Sequence, residues 1–74
     1  MEHYKNFNGD SGIDAYEFGA DYIRVRFSTG VVYLYTYQSA GVENIEHMKT
    51  LAKSGAGLNA FINQVVRKRY ALRE

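Results

Sequence analysis

The stretch that decides the fold of this chain reads YIRVRFSTGVVYLYTY, from Tyr22 to Tyr37. In its first half, apolar side chains alternate with Tyr, Arg or Ser, which is the period of a strand with one buried face. Its second half is almost entirely β-branched or aromatic, as strands favour. Thr29 and Gly30 lie between the halves and have the length of a two-residue hairpin turn. The stretch therefore predicts a β-hairpin.

A turn at Thr29-Gly30 also predicts the register of this hairpin. Arg26 would pair with Tyr33, and directly paired residues share a face. One face would then carry Ile23, Val25, Phe27, Val32 and Leu34. The other would carry Tyr22, Arg24, Arg26, Tyr33, Tyr35 and Tyr37. We expect helices to cover the first face, because burying unpaired arginines is costly. A slip of one residue would exchange the faces.

Further elements are predicted on both sides of the hairpin. A strand at Ile13–Phe18, followed by a turn at Ala20-Asp21, would set Glu17 opposite Arg24. After the hairpin the spacing changes to three and four residues, which is helical. The first helix would bury Val42, Ile45, Met48, Leu51 and Ala52, with Ser39 as a candidate N-cap. The second would bury Leu58, Phe61, Ile62, Val65 and Val66 after a stop at Gly55-Ala56-Gly57.

These elements predict an α+β fold, in which a three-stranded antiparallel meander is followed by two helices packed on one face (β-β-β-α-α). At 74 residues the chain has room for one domain. Residues 1–12 are polar and rich in turn-forming residues, so we expect a flexible leader there. The single domain is predicted over residues 13–74.

The composition excludes several classes of protein. The apolar fraction of 46% argues against global disorder. There is no cysteine, so disulfides and Cys-based zinc sites are excluded. No apolar run approaches the roughly 18 residues of a membrane span, and Met1–Lys5 lacks a signal pattern. We therefore expect a cytoplasmic protein with no membrane partner.

Charge is distributed unevenly along the chain. The net charge is +1, but residues 1–37 carry three basic and five acidic side chains, whereas residues 38–74 carry six basic and three acidic ones. Much of the excess lies at Arg67, Lys68, Arg69 and Arg73. Basic residues are common at the carboxyl end of a solvent-exposed helix, because they interact favourably with the helix dipole. It is also a source of positive charge for a nucleic-acid partner.

Three interpretations compete for the predicted face of tyrosines and arginines. The side chains could stack across strands through cation–π contacts and merely stiffen an exposed sheet. They could stack the bases of single-stranded RNA or of a tRNA element while arginines bind phosphates, with Arg67, Lys68 and Arg69 adding charge. They could instead form a protein interface or a self-association surface, since Tyr and Arg anchor interfaces. The low net charge weakens the second interpretation.

Other candidate sites carry weaker signals. Lys53, Ser54, Gly55 and Gly57 suggest an anion site at the start of the second helix, although a plain connection between helices explains them as well. His3 and His47 are far apart in sequence and lack accompanying ligands, so we predict no metal and no cofactor. No grouping of nucleophile, base and acid is evident, and we do not expect an enzyme.

The same stretch resembles the centre of the KTSC domain family, which is named for its place at the carboxyl end of some lysyl-tRNA synthetases and also occurs as short bacterial proteins. Val25-x-Phe27, Gly30 and Tyr33-x-Tyr35 occupy the places of its strand, turn and Tyr-x-Tyr strand. Ser54 with Gly55 or Gly57, followed by Phe61-Ile62, is similar to a later turn and helix of the family. The resemblance covers residues 13–70. The family has no established activity, and its association with a synthetase implies RNA binding.

Overall fold

A computed structural model describes residues 1–7 and 12–74 of the chain. These residues form an α+β domain with one antiparallel sheet, in which five strands follow one another in sequence order. The strands are β1 (Glu2–His3), β2 (Ile13–Phe18), β3 (Tyr22–Phe27), β4 (Val32–Thr36) and β5 (Leu72–Arg73). The helices are α1 (Tyr37–Ala40), α2 (Val42–Ser54) and α3 (Leu58–Phe61), and α3 continues into a π-helical turn at Ile62–Val66.

The hairpin of β3 and β4 closes with a three-residue loop. The Phe27 N–H donates to the Val31 carbonyl at 2.9 Å, and the Gly30 N–H donates to the Phe27 carbonyl at 2.8 Å. Ser28 and Thr29 occupy the centre of the turn, and Gly30 follows with a φ of 95°. This is a turn followed by a left-handed residue, a common hairpin connection in which glycine takes the positive φ without a Cβ penalty.

The extra loop residue makes the predicted register wrong by one position. Val25 pairs with Tyr33, Ile23 with Tyr35 and Arg24 with Leu34. Since paired residues share a face, the single face of tyrosines and arginines predicted from the sequence does not exist. Tyr33 and Tyr35 instead share the helix-covered face with Ile23 and Val25. Arg24 shares the opposite face with Leu34, which we call the open face.

The pairing of β2 with β3 agrees with the sequence prediction. Glu17 lies opposite Arg24, and Tyr16 lies opposite Val25. The register shifts between Ile13 and Ala15, where a bulge adds one residue to β2. Tyr16 is buried, whereas Phe18 is 38% exposed at the end of the strand.

The helices bury the predicted side chains with some exceptions. Ile45, Met48 and Ala52 of α2 pack in the core with Leu58, Ile62 and Val66. Val42 and Val65 are exposed instead. The π turn has more residues per turn than an α-helix, so the buried positions in this segment are spaced by four and Val65 faces outward. No helix within residues 1–7 and 12–74 has the length and apolarity to cross a bilayer.

The start of the helical part also differs from the prediction. Ser39 is not an N-cap, because α1 begins two residues earlier at Tyr37. Thr36 is the N-cap, and its hydroxyl accepts a hydrogen bond from the Ser39 N–H at 3.0 Å. The Ser39 hydroxyl accepts in turn from the Thr36 N–H at 3.0 Å, which completes a capping box.

The described residues before β2, where the sequence predicts a flexible leader, make contacts with the rest of the domain. Glu2 and His3 pair with β2, and the Tyr4 side chain is only 1% exposed. The Tyr4 hydroxyl accepts a hydrogen bond from the Leu58 N–H at 3.3 Å. The Phe7 N–H donates to the Gly55 carbonyl at 2.8 Å. Tyr4 therefore joins the core, while residues 8–11 lie outside the described residues.

A substitution at Gly55 tests whether the first residues of the chain pack against this glycine. Its φ is 81°, and an added Cβ would lie 2.8 Å from the Lys5 Cβ. Gly57 has a similar φ of 85°, but its nearest neighbour would be a Leu51 methyl at 3.5 Å. A left-handed alanine costs about 1–2 kcal/mol at either position, and crowding adds roughly 1–3 kcal/mol at Gly55 alone. We expect Gly55→Ala to lower the free energy of unfolding by clearly more than Gly57→Ala in urea titrations. Equal losses would show that Lys5 does not pack against Gly55.

Candidate functional site

The register of β4 directs two tyrosines toward a pocket beside the helices. The pocket has a volume of about 530 Å³. It lies between the tip of the β3–β4 hairpin, the π turn and the segment that leads to β5. We call it the tyrosine pocket. Its lining residues are Gly12, Phe27, Ser28, Thr29, Val31, Tyr33, Tyr35, Ile62, Asn63, Arg67, Lys68, Tyr70 and Arg73.

The return of the chain after the π turn builds the outer wall of the pocket. The Arg69 N–H donates to the Val66 carbonyl at 2.8 Å, which ends the helical segment. The Ala71 N–H then donates to the Leu34 carbonyl at 2.7 Å, and the chain continues as β5. Tyr70 and Arg73 are thereby held over β4.

Aromatic rings form a connected group in the pocket. The Tyr33 and Tyr70 ring centroids lie 4.8 Å apart with a tilt of 52°. Phe27 meets Tyr33 edge to face at 5.6 Å, and Tyr35 lies 6.4 Å from Tyr33. These separations are typical of interacting aromatic pairs. Tyr70 is 39% exposed, so part of its ring surface is available to a planar ligand.

The charged side chains of the pocket are all basic among the residues described. Arg67, Lys68 and Arg73 line it, and the ion pairs of the described residues involve other cations: Arg24, Arg26 and Lys49. The Arg73 guanidinium lies 5.9 Å from the centroid of the Tyr33 ring, within cation–π distance. The pocket therefore combines aromatic surface with three unneutralised positive charges, which suits an anionic aromatic ligand.

Tyr35 presents a polar group at the buried side of the pocket. The residue is 1% exposed and lines the pocket beside Tyr33 and Tyr70. Burial, followed by the nearby phenols of Tyr33 and Tyr70, raises the pKa of Tyr35 to about 12. The side chain is therefore neutral near pH 7, and its hydroxyl can donate a hydrogen bond to a ligand.

The arginines predicted for the same site lie on the open face. Arg24 contacts Glu17 at 3.3 Å and Glu74 at 3.1 Å. Arg26 contacts Asp14 at 2.9 Å. The guanidinium of Arg24 also lies 5.3 Å from the centroid of the Tyr22 ring. These contacts engage both arginines with carboxylates and separate them, together with Tyr22, from Tyr33 and Tyr35.

Two other predicted residues lie outside the tyrosine pocket. Tyr37 is the first residue of α1, and its hydroxyl donates to a Glu46 carboxylate oxygen. This hydrogen bond raises the pKa of Tyr37. It also helps lower the pKa of Glu46, for which the hydrogen bond from Lys49 is the larger cause. Arg69 is exposed and does not line the pocket.

The loop suggested as an anion site uses most of its polar groups internally. The Gly55 N–H donates to the Leu51 carbonyl at 3.1 Å. The Ala56 N–H donates to the Ser54 hydroxyl at 3.3 Å, and the Leu58 N–H donates to Tyr4. Lys53 lies 5.7 Å from the Phe18 ring centroid. These amides are therefore not free to hold an anion. No group of three potential metal ligands occurs within the described residues.

The sequence does not predict the pocket positions of Phe27, Tyr70 and Arg73, which add aromatic surface and charge to it. Its pattern assigns Phe27 to the core and Arg73 to the basic end of the chain. Tyr70 carried no signal beyond its residue type. Strand β5 has only two residues, which is too short for an alternating pattern to reveal it. Tyr70 and Arg73 reach Tyr33 only because that strand pairs with β4.

Comparisons with known proteins supply no relative. No family model matches the sequence, and neither a curated protein nor a solved structure is similar to it. The resemblance of residues 13–70 to the KTSC family stays a prediction.

The raised pKa of Tyr35 predicts a loss of stability in alkali. The unfolded chain releases this proton near pH 10 and the folded chain near pH 12, so the stabilisation is complete below about pH 10 and is lost as pH rises toward 12. We expect the free energy of unfolding to fall between these values by at most about 1.4 kcal/mol per pH unit from this group. Tyr35→Phe should flatten the slope, measured by urea unfolding at each pH. An unchanged slope in the variant would contradict the assignment.

Proposed function

We propose that this chain is a non-catalytic module that binds single-stranded RNA through the tyrosine pocket. The observation that carries the proposal is the meeting of Tyr33, Tyr35 and Tyr70 with three basic side chains that lack a described acidic partner. Sequence reasoning assigned this chemistry to a flat sheet face. The proposal assigns it instead to the tyrosine pocket at the end of the sheet.

Stacking would supply the base-binding part of the interaction. An aromatic side chain contributes about 1–3 kcal/mol per stacked base, and it does so with any base. The half-exposed ring of Tyr70, backed by Tyr33 at 4.8 Å, offers such a surface. The volume of about 530 Å³ falls in the range of roughly 300–1,000 Å³ that is usual for ligand pockets. It is large enough for a nucleotide.

Electrostatics favour the pocket over the open face as the phosphate-binding surface. Arg67, Lys68 and Arg73 add three positive charges at the pocket. On the open face, Arg24 and Arg26 are offset by Asp14, Glu17 and Glu74. A phosphate chain would meet attraction at the first surface and nearly balanced charge at the second. A net charge of only +1 for the whole chain is then compatible with local binding.

The choice of RNA rests on the resemblance to the KTSC family, some members of which are joined to lysyl-tRNA synthetases. Stacking and charge alone do not distinguish RNA from DNA. A cytoplasmic location in bacteria would fit this proposal.

Binding can be tested with a fluorescently labelled oligouridine in an anisotropy titration. We expect Arg67→Ala and Lys68→Ala to weaken binding severalfold each and to reduce its salt dependence, because each removes a phosphate contact. Tyr70→Ala should weaken it by about 1–3 kcal/mol through loss of stacking.

Matched controls come from basic residues outside the pocket. Arg69→Ala removes the neighbouring cation that does not line it, and Arg26→Ala removes a cation of the open face. Both should bind nearly as the unchanged chain does. If Arg26→Ala weakens binding more than Lys68→Ala, the strand lies on the open face and the proposed site is wrong. Absence of binding by the unchanged chain in low salt would remove the proposal.

A second candidate function, self-association, is favoured by the open face. Leu72 is 52% exposed and lies opposite Leu34. Carboxylates and arginines flank these side chains, so two copies related by a two-fold axis could exchange ion pairs around an apolar centre. We propose a second copy of the chain as the occupant of this face.

Sedimentation at micromolar and higher concentrations would test self-association. If the open face forms a dimer, Leu72→Glu should shift the equilibrium to monomer, since it places a charge in the apolar centre. Val65→Glu is the matched control, because Val65 is also exposed but lies on the helical side. A monomer for the unchanged chain at all concentrations would exclude this function.

A further inference from the structure

We infer that the tyrosine pocket takes a strand end that carries a terminal phosphate monoester. The pocket would bind this end in preference to the interior of a strand. This inference rests on the proposed function and names its ligand more closely. It is carried by the number of donors that meet in one pocket and by the lack of a basic path leading away from it.

The pocket gathers more positive charge than an internal phosphate requires. Arg67, Lys68 and Arg73 line it without a described carboxylate among them. A phosphodiester carries one negative charge, whereas a monoester carries about 1.5–2 charges at pH 7 and three acceptor oxygens. Charge-assisted hydrogen bonds to such oxygens are the strongest that these side chains form. Three cations at one place therefore match a monoester.

Tyr35 adds a neutral donor at the buried side of the same pocket. Tyr35 lines the pocket although the residue is only 1% exposed. Its hydroxyl lies near the phenols of Tyr33 and Tyr70. A phosphate oxygen that reaches the base of the pocket would accept a hydrogen bond from this hydroxyl. A phosphate in mid-strand, attached on both sides, reaches such a depth less easily than a strand end.

The cations of β3 and α2 do not extend a track from the pocket along the sheet. Arg24 and Arg26 are engaged by carboxylates on the open face. Lys49 is paired with Glu46, and Lys53 lies over Phe18, at the other end of the β2–β3 pair from Phe27. A long strand would therefore gain few phosphate contacts beyond the pocket. This differs from proteins that follow a strand along a continuous basic groove.

The test compares oligonucleotides that differ at their ends. A tetranucleotide with a phosphate at its 5′ end, one with a phosphate at its 3′ end and an unphosphorylated hexanucleotide carry about the same total charge. We expect one phosphorylated tetranucleotide to bind at least about tenfold more tightly than the hexanucleotide in calorimetry at fixed salt. Equal affinities would overturn the inference while leaving the proposed function standing. Absence of binding by all three would remove both.

Two further measurements separate the terminal phosphate from general charge. Tyr35→Phe removes only the hydroxyl, so it should reduce the preference for the phosphorylated end by lowering the affinity for the phosphorylated tetranucleotide by a larger factor than the affinity for the hexanucleotide. The preference should also shrink as pH falls from about 7.5 to about 5.5, because the monoester gains a proton near pH 6. A preference that survives both changes would contradict the role given to Tyr35 and to the doubly charged phosphate.

Inorganic phosphate distinguishes a nucleotide site from a site for the free ion. If the pocket recognises a strand end, phosphate alone should compete with the phosphorylated tetranucleotide only at a much higher concentration than the matching mononucleotide. Equal competition would mean that the ring surfaces of Tyr33 and Tyr70 contribute nothing. The inference of a strand end would then be wrong.

Discussion

The length of one hairpin loop determines how the faces of this sheet are composed. Three residues, Ser28 to Gly30, connect Phe27 to Val31, and the positive φ of Gly30 lets the last of them turn the chain. Since side chains alternate across a strand, one residue more or less in this loop would move every side chain of β4 to the other face. With three residues, Tyr33 and Tyr35 pair with Val25 and Ile23 on the helix-covered side.

The register separates two kinds of cation that the sequence brings close together. Arg24 and Arg26 face away from the helices, where Glu17 and Asp14 neutralise them. Exposed ion pairs of this kind contribute little to stability, but they remove these arginines from competition for a phosphate. The tyrosines lie instead beside the basic segment that follows the π turn. At the tyrosine pocket, aromatic surface thus meets three cations that form no ion pair among the described residues.

The sequence predicts those strands and helices in which apolar residues recur at a regular spacing. Alternation identifies β3, and spacings of three and four residues identify the buried Ile45 and Met48 of α2. Strands β1 and β5 have two residues each, so neither shows a period, and Tyr4 enters the core through contacts with Leu58 that are distant in sequence. The sequence also does not determine the length of the hairpin loop, because Thr29-Gly30 and Ser28-Thr29-Gly30 are both acceptable turns.

The candidate site is predictable in its chemistry and not in its location. Tyr33, Tyr35, Arg67 and Lys68 are recognisable as stacking and phosphate-binding residue types from the sequence alone. Their partners are Arg73 in β5 and Tyr70 just before it, and this segment is held to β4 by hydrogen bonds of the flanking residues, from the Ala71 N–H to the Leu34 carbonyl and between Glu74 and Val32. A ligand that contacts both walls of the pocket would therefore also stabilise the pairing of β5 with β4, since binding to the folded form alone shifts the equilibrium toward it. The core is small and has no disulfide. Ligand binding and the pairing of β5 with β4 are therefore coupled, because both depend on Tyr70 and Arg73.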